Sequence, residues 1–506
     1  MAATSQRTEG GIPASTASPT EPDPAARISI SFPVQLASPS RPVCLESWAR
    51  GAELTIRWEV GQQWAKVSGS ATNIGRAFDV KIDAHRAADG RPAFAANRTP
   101  AIPSNVCGEV TGTGVIHSYQ RPTDYDVPGG GLLSQQLLRA YDAQPLASQG
   151  LRGQGETIVL FETDGFSTQD LRSFVKLLPN GNQTPINVQI VGGNPAVATG
   201  SISESDLDIE AAHAIAPDAK IVYINLAGSQ FQNDTTTQTY LDAFQLAGSH
   251  WPGAIWSASL GWCETDQTSW NSKDLKNMAN AVSAAEAHGT TMFAASGDSG
   301  GLECEPPGDG GQIPQQSFVG VSVPADLPSV TAVGGTTLST TSSGGYVGET
   351  TWSEPLLSQG TGGGVSAVFA KPSWQTGTGT GQYDPNNDRQ VPDVAAVANA
   401  RTGVVIYDGG KEVAGGGTSL ATPLWAGFTA LIDQYLQIHG GHRVGFFNPV
   451  LYSLANDPVP YQPFHDVTVG GNNFYPATPG YDMATGLGSP DVWNLARDLA
   501  ASEGLK

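Results

Sequence analysis

Ser419 ends a glycine turn, Gly415-Gly416-Gly417-Thr418-Ser419, and opens an apolar run through Ile438. Leu424, Phe428, Leu431, Tyr435 and Ile438 recur at helical spacing, so the run predicts a buried helix. Pro423 is expected in or near the first turn, where its missing N–H is not needed. A serine so placed can attack a carbonyl carbon while its own N–H and the positive helix end face the developing oxyanion. The same letters suit a serine that only caps a helix.

A nucleophile of this kind needs a base. Glu204 and Asp208 are four apart in Glu204-Ser-Asp-Leu-Asp208-Ile-Glu-Ala-Ala-His213-Ala-Ile-Ala-Pro217, so a helix stacks them on one face. Held close and partly buried, they would titrate as a coupled pair. The spacing also suits a solvated acidic helix start that meets the N-terminal dipole. A third carboxyl, Asp298 in Ala294-Ala-Ser-Gly-Asp298-Ser-Gly, follows an apolar strand and turns at its carboxyl end. Protonated, it could donate to an oxyanion. As a turn residue it would bond its own backbone.

Together these motifs resemble the sedolisin family, the serine-carboxyl peptidases. Gly-Thr-Ser419-x-Ala-x-Pro-x-x-Ala-Gly is the nucleophile motif that sedolisins share with subtilisin-like peptidases. Glu204-x-x-x-Asp208 followed by Ala216-Pro217 matches the sedolisin pattern in which glutamate replaces the subtilisin histidine. The resemblance implies Glu204 as general base and acid for Ser419, Asp208 as the group that tunes Glu204, and Asp298 in the oxyanion hole. Ser257-x-Ser-x-Gly261, Val333-Gly-Gly-Thr336, Gly362-Gly-Gly-Val-Ser366 with Pro372-x-Trp374, and Pro392-Asp-Val extend the match across roughly residues 64–490. Leu260 stands where the family often has tryptophan.

Near the C-terminus, His465-Asp466-Val467 and Pro479-Gly480-Tyr-Asp482 resemble the family's calcium site. That implies one structural Ca2+ on the carboxylates of Asp466 and Asp482 and the carbonyls of Val467, Thr478 and Gly480, an oxygen-only set. Thr478 replaces the usual glycine.

Three rival readings use other letters. His213 and Ser299 imitate a chymotrypsin-like pair, but that architecture needs antiparallel barrels. Asp164, His288 and Ser419 could form a subtilisin-like triad. A catalytically inactive, calcium-stabilised secreted binding protein is the third.

The elements that must position these groups follow from the rest of the chain. Its 506 residues predict two or three domains. The formal net charge of −21 argues against nucleic acid or an anionic membrane as partner, and it suits work in acid. No apolar run is long enough to span a membrane. Residues 1–27 read as a disordered lead without a signal-peptide core. Residues 28–118 carry short alternating strands and a helix over Thr72–Phe78, a small α+β unit. The stretch from Lys66 to Ile82 resembles a sedolisin prosegment, which implies a ferredoxin-like prodomain acting as intramolecular inhibitor. Residues 119–136 have linker composition and suit an activation cleavage.

From Leu137 to Lys506 the chain alternates apolar strands with helices (Thr157–Phe161, Ser203–Ala216, Lys220–Leu226, Ala254–Leu260, Ser272–His288, Thr290–Ser296). That order predicts an α/β fold with a subtilisin-like parallel sheet, helices on both faces, and a site at the strands' carboxyl ends. Cys44 and Cys107 fall in the first part and Cys263 and Cys304 in the second, which suggests one disulfide in each and an oxidising compartment. The expectation is a secreted, monomeric, acid-acting endopeptidase precursor that hydrolyses proteins or peptides.

Overall fold

Alternate residues of strand β1 (Ser29–Leu36) face inward: Ile30, Phe32, Val34 and Leu36 are all buried. They form the floor of the smaller of two compact units, Met1–Pro122 and Thr123–Lys506, into which the computed structural model divides the chain. The described residues are 29–38, 40–58, 64–86, 92–96, 100–113, 116, 131–179, 183–195, 197, 203–228, 236–265, 272–304, 319–354, 359–384 and 386–505. The expected lead and residues 119–130 of the expected linker lie outside them.

In the first unit β1 is followed by α1 (Val43–Gly51), β2 (Thr55–Arg57), β3 (Trp64–Ser70), α2 (Ala71–Ala77), the hairpin β4 (Ile82–Arg86) and β5 (Pro92–Ala96), and β6 (Val110–Thr113). The main sheet is antiparallel in the order β2-β3-β1-β6. Apart from the inserted hairpin this is the βαββαβ succession of a ferredoxin-like unit. Leu45 and Ala49 of α1, and Ile74 with Phe78 at α2, close its core over β1 and β3. Helix α1 was not expected, although Pro42 directly before it and the apolar pair Leu45/Ala49 one turn apart are its signals. Cys44 and Cys107 form a disulfide.

The second unit starts before residue 137. Leu132 bridges to Val404, and Ser134 opens α3 (Ser134–Ala140), its Oγ donating to Ala214 O at 2.6 Å. Residues 131–136, expected in the linker, therefore belong to this body. There follow α4 (Gln144–Ser148), β7 (Thr157–Glu162), α5 (Thr168–Leu177), β8 (Val188–Val191), α6 (Glu204–Ile215), β9 (Lys220–Asn225), α7 (Thr236–His250), β10 (Ile255–Ala258), β11 (Trp262–Cys263), α8 (Ser272–Glu286) and β12 (Thr291–Ala295). Then come β13 (Ser322–Val323), β14 (Thr331–Thr340), β15 (Tyr346–Thr351), the short pair β16 (Ser353–Glu354) and β17 (Gln359–Gly360), the pair β18 (Gly364–Ala370) and β19 (Asp388–Val391), and β20 (Val394–Val397). The hairpin β21 (Val404–Asp408) and β22 (Lys411–Gly415) runs into α9 (Thr418–Ile438).

The central sheet runs β15-β14-β12-β10-β7-β9-β8, with β20 also on β14. All its pairings are parallel except that of β15. Side chains alternate across it. Val159, Phe161 and Trp256 meet Phe244 of α7 and Leu275, Met278 and Val282 of α8 on one face. On the other face Phe293 meets Trp425 of α9. The expected sheet with helices on both sides is what forms.

Helix α9 lies in the middle of that second face. From Thr418 to Asp433 every residue except Ser419 is buried. A helix covered on nearly every side in this way belongs in a core. It packs on α6 so closely that a Cβ at Gly427 would lie 2.7 Å from Ile215 Cβ and 3.2 Å from Ala212 O. Gly427→Val is therefore expected to cost about 1–3 kcal/mol by overpacking. A fall in the denaturant midpoint would register it, and an unchanged midpoint would contradict this contact.

Candidate active site

Parallel register brings the carboxyl ends of β7, β10 and β12 to one edge. Ser257 is level with Leu160 and with Phe293, so Glu162, Ser259 and the turn Ser296-Gly297-Asp298 emerge side by side. Helix α6 begins above them. Ser203 caps it, its Oγ accepting from Asp206 N at 3.1 Å and donating to Gly165 O at 2.8 Å. Glu204 is the first helical residue, and Asp208 follows one turn later on the same face.

The turn that carries Ser419 arrives from β22. Gly417 has φ of +85°, and a Cβ there would sit 2.8 Å from Asp298 Oδ2, so this position needs glycine twice over. Thr418 then ties the turn to Asp298. Its N–H and its Oγ1 both lie 2.8 Å from Asp298 Oδ1. Ser419 occupies the first turn of α9, where N–H groups have no acceptor within the helix. Its Oγ donates to Ser259 O at 3.3 Å, and the Glu204 carboxyl lies near enough for the serine hydroxyl to act on its proton affinity.

The four residues chosen from sequence are thus brought together. Their electrostatics is that of carboxyl groups without a cation. Burial first, then repulsion from Asp208, Asp298 and Asp164, pushes Glu204 well above the usual carboxylate range, and the Ser419 hydroxyl opposes this. Burial pushes Asp208 up to about 7, and the nearby polar groups of Ser259 and Glu162 limit the rise. Burial, with repulsion from Asp208 and Glu204, also pushes Glu162 well above the carboxylate range. Neither Asp208 oxygen has a partner inside strict hydrogen-bond geometry among the described residues, so these are close neighbours and not tight bonds. Burial raises Asp298, and the two Thr418 bonds hold the rise in check.

Two site residues were missed or misassigned from sequence. Glu162 is the residue after the predicted strand Thr157–Phe161; a carboxyl ending a buried parallel strand was its signal. Asp164, a candidate for a subtilisin-type triad, instead receives the start of α6. Its oxygens accept from Glu204 N at 3.1 Å, Ser205 N at 3.2 Å and Ser205 Oγ at 2.6 Å.

The rival histidines are elsewhere. His288 is exposed before the first residue of β12, whereas Asp298 follows its last, so a whole strand separates them. His213 is buried nine residues along α6 from Glu204, about 13 Å at 1.5 Å per residue. Its Nε2 lies 3.0 Å from Thr184 O, and burial lowers its pKa to about 4. Ser299 belongs to the turn after Asp298, on an α/β sheet and not in a β-barrel.

The expected position of Pro423 needs correction. It is the sixth residue of α9, in the second turn, so an N–H that the helix would use is missing.

The second disulfide, Cys263–Cys304, joins the segments just beyond Ser259 and Asp298. The two C-terminal aspartates brace one loop. Asp466 Oδ2 accepts from Gly480 N at 2.9 Å and Asp482 Oδ2 from Thr478 N at 3.0 Å. Asp482 Oδ1 accepts from Ala484 N and Thr485 N, both at 2.9 Å. Burial raises both carboxyls, Asp482 to about 7. Among the described residues no lysine or arginine pairs with either, and no three His, Cys, Asp or Glu side chains cluster for a metal.

A serine flanked by buried carboxyls at the carboxyl edge of a parallel sheet defines a serine-carboxylate centre on a subtilisin-like fold. Residues 190–444 match the subtilase family. Kumamolisin of Bacillus sp. (strain MN-32) is 35% identical over 372 residues, 70% of this chain and 62% of its own. Sedolisin of Pseudomonas sp. (strain 101) is 34% identical over 363 residues, 69% and 59% of the two chains. The solved structure of Pseudomonas sedolisin, a serine-carboxyl proteinase complexed with two molecules of pseudo-iodotyrostatin, matches with a TM-score of 0.60 at 30% identity, over 74% of this chain and 99% of that one. The chain belongs to the sedolisin family. It spans about three fifths of the length of the curated relatives it matches.

The carboxyls predict how stability depends on pH. A folded-state pKa of about 7 for Asp208 and Asp206, against about 4 unfolded, means that the folded protein binds more protons between those values. Their contribution is complete below pH 4 and is lost as pH rises through 7. Melting temperature should fall from pH 4 to pH 8. A melting temperature that climbs toward neutral pH would contradict protonated Asp206 and Asp208 in the folded protein.

Proposed function

We propose that the protein is an acid-acting serine-carboxyl endopeptidase made as a proenzyme. The observation that carries this reading is the Ser419 hydroxyl beside a buried glutamate, with the described histidines engaged or exposed elsewhere. Ser419 Oγ attacks the scissile carbonyl and its proton passes to ionised Glu204. The oxyanion meets the Ser419 N–H and a proton on Asp298. Because Asp298 Oδ1 already accepts from Thr418 twice, that proton belongs on Oδ2. Glu204 then protonates the leaving amine. In the second half it takes a proton from water, which opens the acyl-enzyme and restores Ser419. Asp208, with Glu162 behind it, sets how readily Glu204 holds that proton.

The two carboxyls bound the active range from opposite sides. Asp298 must keep its proton, so activity is lost as pH rises through its pKa. Glu204 must be able to ionise in the bound complex, which sets the acid limb. Hydrolysis of an unfolded protein from pH 2 to 9 should show an acid-only profile. Glu204→Gln should lower kcat by about 10²–10⁴-fold, Asp298→Ala by about 10²–10³-fold, and Ser419→Ala should abolish turnover. Activity that peaks above neutrality and survives Glu204→Gln would return the base role to a histidine. No activity at any pH would favour the binding-protein reading.

The ferredoxin-like unit is the proposed inhibitory prosegment, released by cleavage N-terminal to Gly131. Two disulfides suit a secreted protein. Among the described residues no helix is long and apolar enough to cross a membrane. The C-terminal loop fits a calcium ion: two carboxyls without a basic partner brace residues 478–482, and the donors available are oxygens. Asp466 and Asp482 would hold it with the carbonyls of Val467, Thr478 and Gly480, as a structural ion. Calcium at 100 times its dissociation constant should then stabilise the fold by about 2.7 kcal/mol. A chelator should lower the melting temperature, and Asp482→Asn should remove that response. Identical melting with and without chelator would rule against bound calcium.

A further inference from the structure

An α-helix pairs each carbonyl with the N–H four residues ahead. In α9 the donor owed to Ser419 O is residue 423, and residue 423 is proline, which has none. The carbonyl of the nucleophile residue is nevertheless bonded. Ser259 Oγ donates to Ser419 O at 3.1 Å. In return Ser419 Oγ donates to Ser259 O at 3.3 Å. Two residues 160 apart are thus joined by a reciprocal pair of hydrogen bonds, one through each side chain.

Ser259 is placed for this by the sheet and not by the helix. It follows the last residue of β10 and is 7% exposed. An unpaired helix carbonyl tilts toward solvent and bends the helix at that point. In α9 such a tilt would turn the Ser419 peptide, and with it the serine's hydroxyl and N–H, at the one position of the buried segment that reaches the cleft. A donor anchored on a central strand prevents the tilt while leaving residue 423 free of a helix bond.

We propose that Ser259 is a positioning residue for the nucleophile: its hydroxyl replaces the helix hydrogen bond that Pro423 cannot make and so fixes the orientation of Ser419. The proposal rests on the peptidase reading for its effect on rate. The hydrogen-bond exchange itself does not depend on that reading.

The test is a four-protein cycle: wild type, Ser259→Ala, Pro423→Ala and the double variant. Each is assayed for kcat and KM on a chromogenic peptide at the acid optimum, and each is melted. Ser259→Ala is expected to lower kcat about ten-fold with KM changed less than about two-fold. Alanine at 423 restores an N–H four residues after Ser419. In that background Ser259→Ala is expected to cost less than about three-fold, and its melting penalty is expected to shrink as well. Equal rate costs in both backgrounds would overturn the proposal, even if the melting penalties were coupled, because Ser259 would then serve the fold alone. A wild type inactive at every pH would sink the peptidase reading. The melting cycle would still decide the bond exchange, and additive penalties would overturn it.

Discussion

A buried carboxyl without a cation must keep its proton or be surrounded by donors, and this constraint organises the second unit. Glu162, Glu204 and Asp208 converge where strand ends meet the start of α6, and among the described residues their main electrostatic neighbours are other carboxyls, not lysine or arginine. The donors nearby are hydroxyls and backbone N–H groups. Leaving three such groups unneutralised costs free energy that apolar residues would not. Nearby structure offsets it. Asp164 accepts from the first N–H groups of α6, and Ser205 donates to both Asp164 and Glu162.

The same device recurs on the far side of α6. Glu210 Oε2 accepts from Tyr407 N at 2.6 Å, Asp408 Oδ1 from Ser203 N at 3.0 Å, and Asp170 Oδ1 from Gly410 N at 3.2 Å. These bonds fasten the β21–β22 hairpin to α5 and α6. Because β22 leads directly into Gly415-Gly416-Gly417, the turn before Ser419 is held by the helix that carries Glu204, its proposed base. Leu132 adds a bridge on the hairpin's other edge. Serine and glutamate thus share one scaffold although neither element touches the other through sheet pairing.

Much of this was legible because the periodicities are strong. Thr157–Phe161 and Ser272–His288 read correctly as a buried strand and an amphipathic helix, since continuous apolar runs and 3.6-residue spacing leave little room for another answer. The glycine turn before Ser419 also read correctly, because φ at Gly417 and its contact with Asp298 both demand that residue. Helix α1 was missed, being short and flanked by turn residues. The β21–β22 hairpin was missed too, despite Asp408-Gly-Gly-Lys411 between two apolar runs. Glu162 carried only the faint signal of a carboxyl after an apolar strand, Ser259 was read only as a letter of Ser257-x-Ser-x-Gly261, and Asp164 was read into another triad. Their importance comes from which strand end stands beside which, and that is a property of sheet order. The start of α9 was read to within one residue, at Ser419 against Thr418, and Pro423 as its sixth residue falls just past the first turn.

The packing of α6 on α9 has a kinetic side. Glu204 and Ser419 are 215 positions apart, and the strands between them pair in parallel through long crossovers. Contacts of such sequence separation are the costliest to close by loop entropy and dominate chains of high contact order, which fold slowly. The helix that carries Ser419 rests on β14 and β20 and meets Ile215 at Gly427, so its seat is built from segments far apart in the chain. A partly folded chain that lacks this interface holds Ser419 and Glu204 on separate, unjoined segments.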